Sequence, residues 1–134
     1  MNNPNLDILP SIFKKYPDIE AVYLFGSVAT GRTHEESDLD LAILPKNNSI
    51  KEKKLDILAD LTQNGFDAVD LIFIDGNDLV LDYEAVRLNK VIHATEDFSK
   101  GATYSLIVHK YLDFLPYLEV HRKALKERIL NGQV

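Results

Sequence analysis

A chain of 134 residues, 46% hydrophobic and 27% charged with six glycines and five prolines, can bury the core of one domain and is neither disordered nor fibrous in composition. Fifteen lysines and arginines against 21 aspartates and glutamates leave a net charge of -6, which argues against binding along a nucleic-acid backbone. The absence of cysteine excludes disulfides, thiolate metal sites and a cysteine nucleophile.

The first residues, Met1-Asn2-Asn3-Pro4-Asn5, lack the basic start and apolar stretch of a signal peptide. No uncharged run approaches the ~20 apolar residues that cross a bilayer. A cytoplasmic chain with no membrane partner is the expectation. Residues 5 to 15 place Leu6, Ile8, Leu9, Ile12 and Phe13 at three- and four-residue spacings, which predicts a helix with one apolar face, closed by Pro17. The run Ala21-Val22-Tyr23-Leu24-Phe25 is short and β-favouring and stops at Gly26, as a buried strand followed by a tight turn would. Residues 28 to 37 read as a short helical turn and then an exposed loop.

From Asp38 to Leu44, polar or small residues alternate with large apolar ones, which predicts a strand with two different faces. Ile50, Leu55, Leu58 and Leu61 mark a helix to about Thr62, ended by Asn64-Gly65. Residues 68 to 74 form a third strand, residues 78 to 88 a short helix and residues 90 to 94 a short strand. The stretch from 97 to 130 is apolar-periodic through Tyr104, Val108, Tyr111, Leu112, Leu115, Leu118, Leu125 and Ile129, and Pro116 should kink or break it.

Chemistry is concentrated in Gly26-Ser27, ten further residues, and then Asp38-Leu39-Asp40. A glycine just past a strand lets backbone amides approach a ligand, and a helix starting there turns its positive end to phosphate; Ser27 adds a hydroxyl donor. Strand alternation puts Asp38 and Asp40 on one face and Leu39 and Leu41 on the other. Two carboxylates so close repel each other without a cation, and Mg²⁺ favours one or two carboxylates together with substrate phosphates. Asp70 is a third acid in an otherwise apolar strand, where an unpaired carboxylate would be costly. Asp67 is its nearest substitute, but it has the opposite strand parity. His34, His93, His109 and His121 lack metal-ligand spacing.

These residues resemble the nucleotidyltransferase superfamily that includes DNA polymerase β, poly(A) polymerases and kanamycin nucleotidyltransferase. Its G-S-x(10)-D-x-D pattern is matched here at every fixed position, with a later third acid. The resemblance implies an α/β (α+β) fold of the DNA polymerase β-like type, a small mixed sheet flanked by helices. The three acids would lie on one face with helices packed on the other, and a C-terminal helical tail would follow. It divides the chain into a core over residues 1–96 and a helical extension over 97–134 packed on the same domain. It implies two Mg²⁺ ions held by Asp38, Asp40 and Asp70, with the triphosphate of ATP on Gly26 and Ser27. Arg32 could clamp phosphate oxygens with its guanidinium, and Ser37 could orient Asp38 or touch phosphate.

The small size, with Tyr23-Leu24-Phe25-Gly26-Ser27, Ser37-Asp38-Leu39-Asp40-Leu41-Ala42, Val69-Asp70-Leu71 and the helical tail, is similar to the minimal nucleotidyltransferases of the MntA antitoxin type. That resemblance implies transfer of AMP from ATP to a tyrosine of a partner HEPN-domain ribonuclease toxin, in a hetero-oligomer with it. Two alternatives stay open: transfer to a small-molecule hydroxyl such as an aminoglycoside's, and neutralisation of a toxin by contact through residues 97 to 130 without catalysis.

Overall fold

The computed structural model describes residues 5–31 and 38–131. Four strands, β1 (Ile19–Phe25), β2 (Leu39–Pro45), β3 (Val69–Phe73) and β4 (Lys90–Ala94), form one sheet in the order β3-β2-β1-β4. β1 runs antiparallel to both β2 and β4, whereas β2 and β3 are parallel, so the sheet is mixed.

The continuous apolar run of β1 has a specific cause. Val22 and Leu24 pack into a core with Leu41, Ile43 and Leu71 on one face, while Ala21 and Tyr23 pack into a second core with Ala42 and Ile74 on the other. The first face is covered by α1 (Leu9–Phe13) and α3 (Lys54–Gln63), and the second by α4 (Leu79–Val86) and α5 (Lys100–Leu130). Helices therefore lie on both faces, and the expectation that they would avoid the face of the acids is corrected. Asp40 shares its face with Ala42, because residues two apart on a strand point the same way, and the helices cover the opposite end of that face.

Local sequence sets the helix starts. Asn5, Asn47, Asp78 and Ser99 each accept a hydrogen bond from a backbone amide two or three residues on, as capping side chains do. A two-turn segment, Asn48–Lys53, wound as a 3₁₀ helix, precedes α3. Its tighter winding shifts the phase of the apolar stripe, so Ile50, Ile57 and Leu61 are buried while Leu55 is 79% exposed. Leu55 was expected in that stripe, and Ile57 takes its place.

α5 is one helical element of 31 residues with Pro116 inside it. The helix does not end there. Pro116 deprives the carbonyl of Leu112 of its donor, but both residues are exposed and water can satisfy that oxygen. No helix of the described residues is long and apolar enough to cross a membrane.

Candidate active site

β1 delivers the chain to Gly26, where the backbone turns with φ of +73° into α2 (Gly26–Ala29). A left-handed φ is open to glycine without steric cost, but position 26 carries a second restriction. A Cβ placed there would lie 1.9 Å from Oδ2 of Asp40 and 2.8 Å from its Cγ. The missing side chain thus leaves room for a carboxylate as well as for a turn. In α2, the Thr30 hydroxyl donates to the Ser27 carbonyl at 3.0 Å, and Ser27 is half-buried at the start of the helix, where backbone amides have no partner within it.

Sheet register brings the acids together. Phe25 pairs with Asp40 across β1 and β2, and Asp40 pairs with Asp70 across β2 and β3. The end of the Gly26 turn, Asp40 and Asp70 thus form one row across three adjacent strands. Asp38 is exposed and stands one residue before β2, on the other side of buried Leu39 from Asp40. Burial, and then the charges of Asp70 and Asp38, hold the Asp40 carboxyl above the usual carboxylate range. The charges of Asp38 and Asp70 thus both bear on the Asp40 carboxyl.

Asp70 comes to Asp40 by a route other than the one expected. It is exposed on the edge strand of the sheet, so burial imposes no cost on its charge, and its place beside Asp40 follows from register alone. Asp67 is exposed two residues before β3 and stands outside the strand pairing. Arg32 and Ser37 lie outside the described residues.

The donor set is hard carboxylate oxygen, which suits Mg²⁺. Among the described residues, no group of three or more histidine, aspartate or glutamate side chains converges tightly enough to hold an ion unaided. Like charges around Asp40 call for a cation, and phosphate oxygens at the Gly26 turn could complete its coordination, so the residues fit an ion that arrives with a nucleotide.

Two side chains escaped the sequence reading. Lys90, opposite Leu24 on β4, donates from Nζ to the carbonyl of Ala29 and so ties the C-terminal end of α2 to the sheet. The two residues are far apart in sequence, and no spacing rule connects them. Asp82, only 3% exposed on α4, accepts from the Gly76 amide at 3.0 Å, and burial pushes its carboxyl up to about 6. It lines a cavity of about 450 Å³ beside Glu20, Pro45, Ile74 and Lys110, at the opposite end of the sheet from Asp40. Its position three and four residues before buried Ala85 and Val86 was the available signal.

A mixed sheet with a glycine turn over a row of acids defines a class. Residues 8–98 match the model of the polymerase beta nucleotidyltransferase family, and the chain belongs to that family. Among characterised relatives it is similar to protein adenylyltransferase MntA of Shewanella oneidensis, with 24% identity over 114 residues that cover 85% of this chain and 78% of that protein. Among solved structures, a toxin–antitoxin complex with AMP-PNP contains a chain 22% identical with a TM-score of 0.72, the match covering 94% of this chain and 98% of that one. The complex of a tri-AMPylated Shewanella oneidensis HEPN toxin with its MNT antitoxin matches at 19% identity and a TM-score of 0.66, over 93% of this chain and 95% of that one. At these identities the likeness is one of fold.

Proposed function

We propose that this chain is a Mg²⁺-dependent protein adenylyltransferase that moves AMP from ATP to a tyrosine of a HEPN-domain ribonuclease toxin and thereby neutralises it. The observation that carries the reading is the row formed by the Gly26 turn, Asp40 and Asp70, with Asp38 adding its charge to Asp40. The likeness to an adenylyltransferase named MntA and to antitoxin chains in complexes with AMP-PNP and with an AMPylated toxin supports the choice of nucleotide and acceptor.

In this reading Gly26 and Ser27 bind the triphosphate through the backbone amides of the turn and the Ser27 hydroxyl. Asp38, Asp40 and Asp70 would hold Mg²⁺, which when bound stabilises the negative charge that develops on the entering and leaving oxygens. The tyrosine oxygen forms a bond to the α-phosphorus as the bond from that phosphorus to its bridging oxygen breaks, and pyrophosphate leaves. Asp70, at the outer end of the row, would draw the phenolic proton away. Positioning by the turn and the acids accounts for the rest of the acceleration.

The test incubates the chain with ATP, Mg²⁺ and the HEPN-domain protein encoded beside it, and weighs the product by mass spectrometry. Added AMP on a tyrosine is expected, and Asp38→Asn with Asp40→Asn should cut the rate about a thousandfold, some 4 kcal/mol of transition-state stabilisation. Equal labelling by that double variant would falsify the mechanism. A labelled small hydroxyl compound formed with no protein acceptor present would move the assignment to the small-molecule branch of the family.

A further inference from the structure

α5 reaches well past the rest of the chain. Its 31 residues extend about 46 Å, and the eight-residue α4 that it packs against covers about 12 Å of that length. Where the two meet, Ile107 is buried and the rings of Tyr111 and Tyr83 stack with centroids 4.0 Å apart. The aromatic row then continues without α4, from Phe114 to Tyr117 at 5.6 Å and from Tyr117 to His121 at 4.2 Å. Tyr117 is 59% exposed and Val120 67%, and Leu125 and Ile129 are also more than half exposed. Exposed apolar side chains gathered along one unpartnered helix segment point to an interaction site, and aromatic side chains are the commonest anchors of such contacts.

Charge narrows the occupant. Between Phe114 and Ile129 stand Arg122, Lys123, Lys126 and Arg128 against the two acids Glu119 and Glu127, a local excess of positive charge on a chain whose net charge is -6. A basic rim on an acidic protein favours a partner surface of negative sign. A second copy joined through the same tip would set one basic rim against another.

We infer that the outer half of α5, from Phe114 to Ile129, is a docking surface for a partner that offers an apolar groove edged by carboxylates. Resting on the function proposed above, that partner is the toxin: α5 holds it while the row of acids acts on it. The surface continues the seam that α5 already forms with α4, so the partner would extend an interface the chain has begun.

The experiment compares wild type with a tip variant, Tyr117→Ala with Val120→Ser and Leu125→Ser, using the HEPN-domain protein encoded beside this chain. All three side chains are exposed, so an unchanged Tm is expected. Toxin affinity by calorimetry should weaken at least tenfold, and the KM for toxin should rise while kcat at saturating toxin holds. A second variant, Arg122→Glu with Lys126→Glu, should slow association and remove its salt dependence. Asp38→Asn with Asp40→Asn should bind toxin as wild type does while transferring AMP about a thousandfold more slowly. Equal binding and labelling by the tip variant overturns the docking surface and leaves the proposed function standing. Tip-dependent binding with no AMP transfer by wild type supports the surface and overturns the function. A dimer of the isolated chain that the tip variant dissolves assigns the surface to a second copy and overturns the inference.

Discussion

Gly26 and Asp40 occupy the same space: a single methylene added at position 26 would fall 1.9 Å from the Asp40 carboxylate. The turn that would carry a nucleotide and the acid that would meet its metal thus fit together only while residue 26 lacks a side chain. Gly26→Ala meets two penalties, a left-handed backbone that costs about 1–2 kcal/mol and a carboxylate forced out of its row. Tm should fall by about 5–10 °C, and AMP transfer by at least about a hundredfold, measured where the variant is fully folded. Near-normal transfer by a folded Gly26→Ala variant would separate the turn from the acids.

Asp40 is crowded by negative charge, and its raised proton affinity gives a signed expectation. A carboxyl whose folded pKa exceeds its unfolded value penalises the folded state once ionised, so its penalty is present at neutral pH and fades as pH falls through the folded value. Asp40→Asn should therefore raise Tm at pH 7 in EDTA by about 2–5 °C. Mg²⁺ with a non-hydrolysable ATP analogue should reverse the order, since only wild type gains the bound ion. A lower Tm for Asp40→Asn in EDTA would mean that the carboxylate is a structural anchor.

Asp82 gives a second pH response, far from the first. Its carboxyl is pushed up to about 6 from the ordinary 3.8, so its ionised form opposes folding above pH 6, and the penalty is relieved between pH 6 and about 4. Asp75, Asp78 and Lys110 face it, with Lys110 acting in the opposite sense to the two acids. Asp82→Asn keeps an acceptor for the Gly76 amide and should flatten the stability profile across that window. Asp82→Ala strands the amide and should be about 1–2 kcal/mol less stable than Asp82→Asn at every pH, read from urea unfolding.

Lys90 ties down the far end of α2 through the Ala29 carbonyl. Lys90→Met should raise the KM for ATP by about threefold to tenfold, equivalent to the net worth of an ordinary hydrogen bond at an exposed site, and leave Tm within about 2 °C because the side chain is exposed. Lys90→Arg should recover most of the loss. An unchanged KM in Lys90→Met would show that α2 keeps its place without this tie.

The strands were legible because their apolar runs end at unmistakable breaks, Phe25 before Gly26 and Ile74 before Asp75-Gly76. The acid pair was legible because period-two alternation is a property of the backbone. Register was not. Nothing local says that Asp70 stands beside Asp40, and the cost of a buried charge does not apply to an exposed residue on an edge strand. The two-sided burial of β1 is written in its five consecutive apolar residues, Ala21 to Phe25, since a strand buried on one face alone would alternate. Leu55 was misplaced because a 3₁₀ segment upstream changes the helical phase, and a sequence stripe does not display pitch. Lys90 was invisible because its partner is a backbone oxygen, which leaves no mark in residue type.

The row of carboxylates ends at Asp70 on the outermost strand of the sheet. Under the function proposed above, a reaction centre at that sheet margin would be shaped for its nucleotide on the inner side and left general on the outer one. Discrimination among acceptors then becomes a matter of delivery: whichever hydroxyl is carried to that margin is the one modified. Such a chain could acquire a new target by changing what it binds elsewhere on its surface, with no alteration to the residues that perform the chemistry.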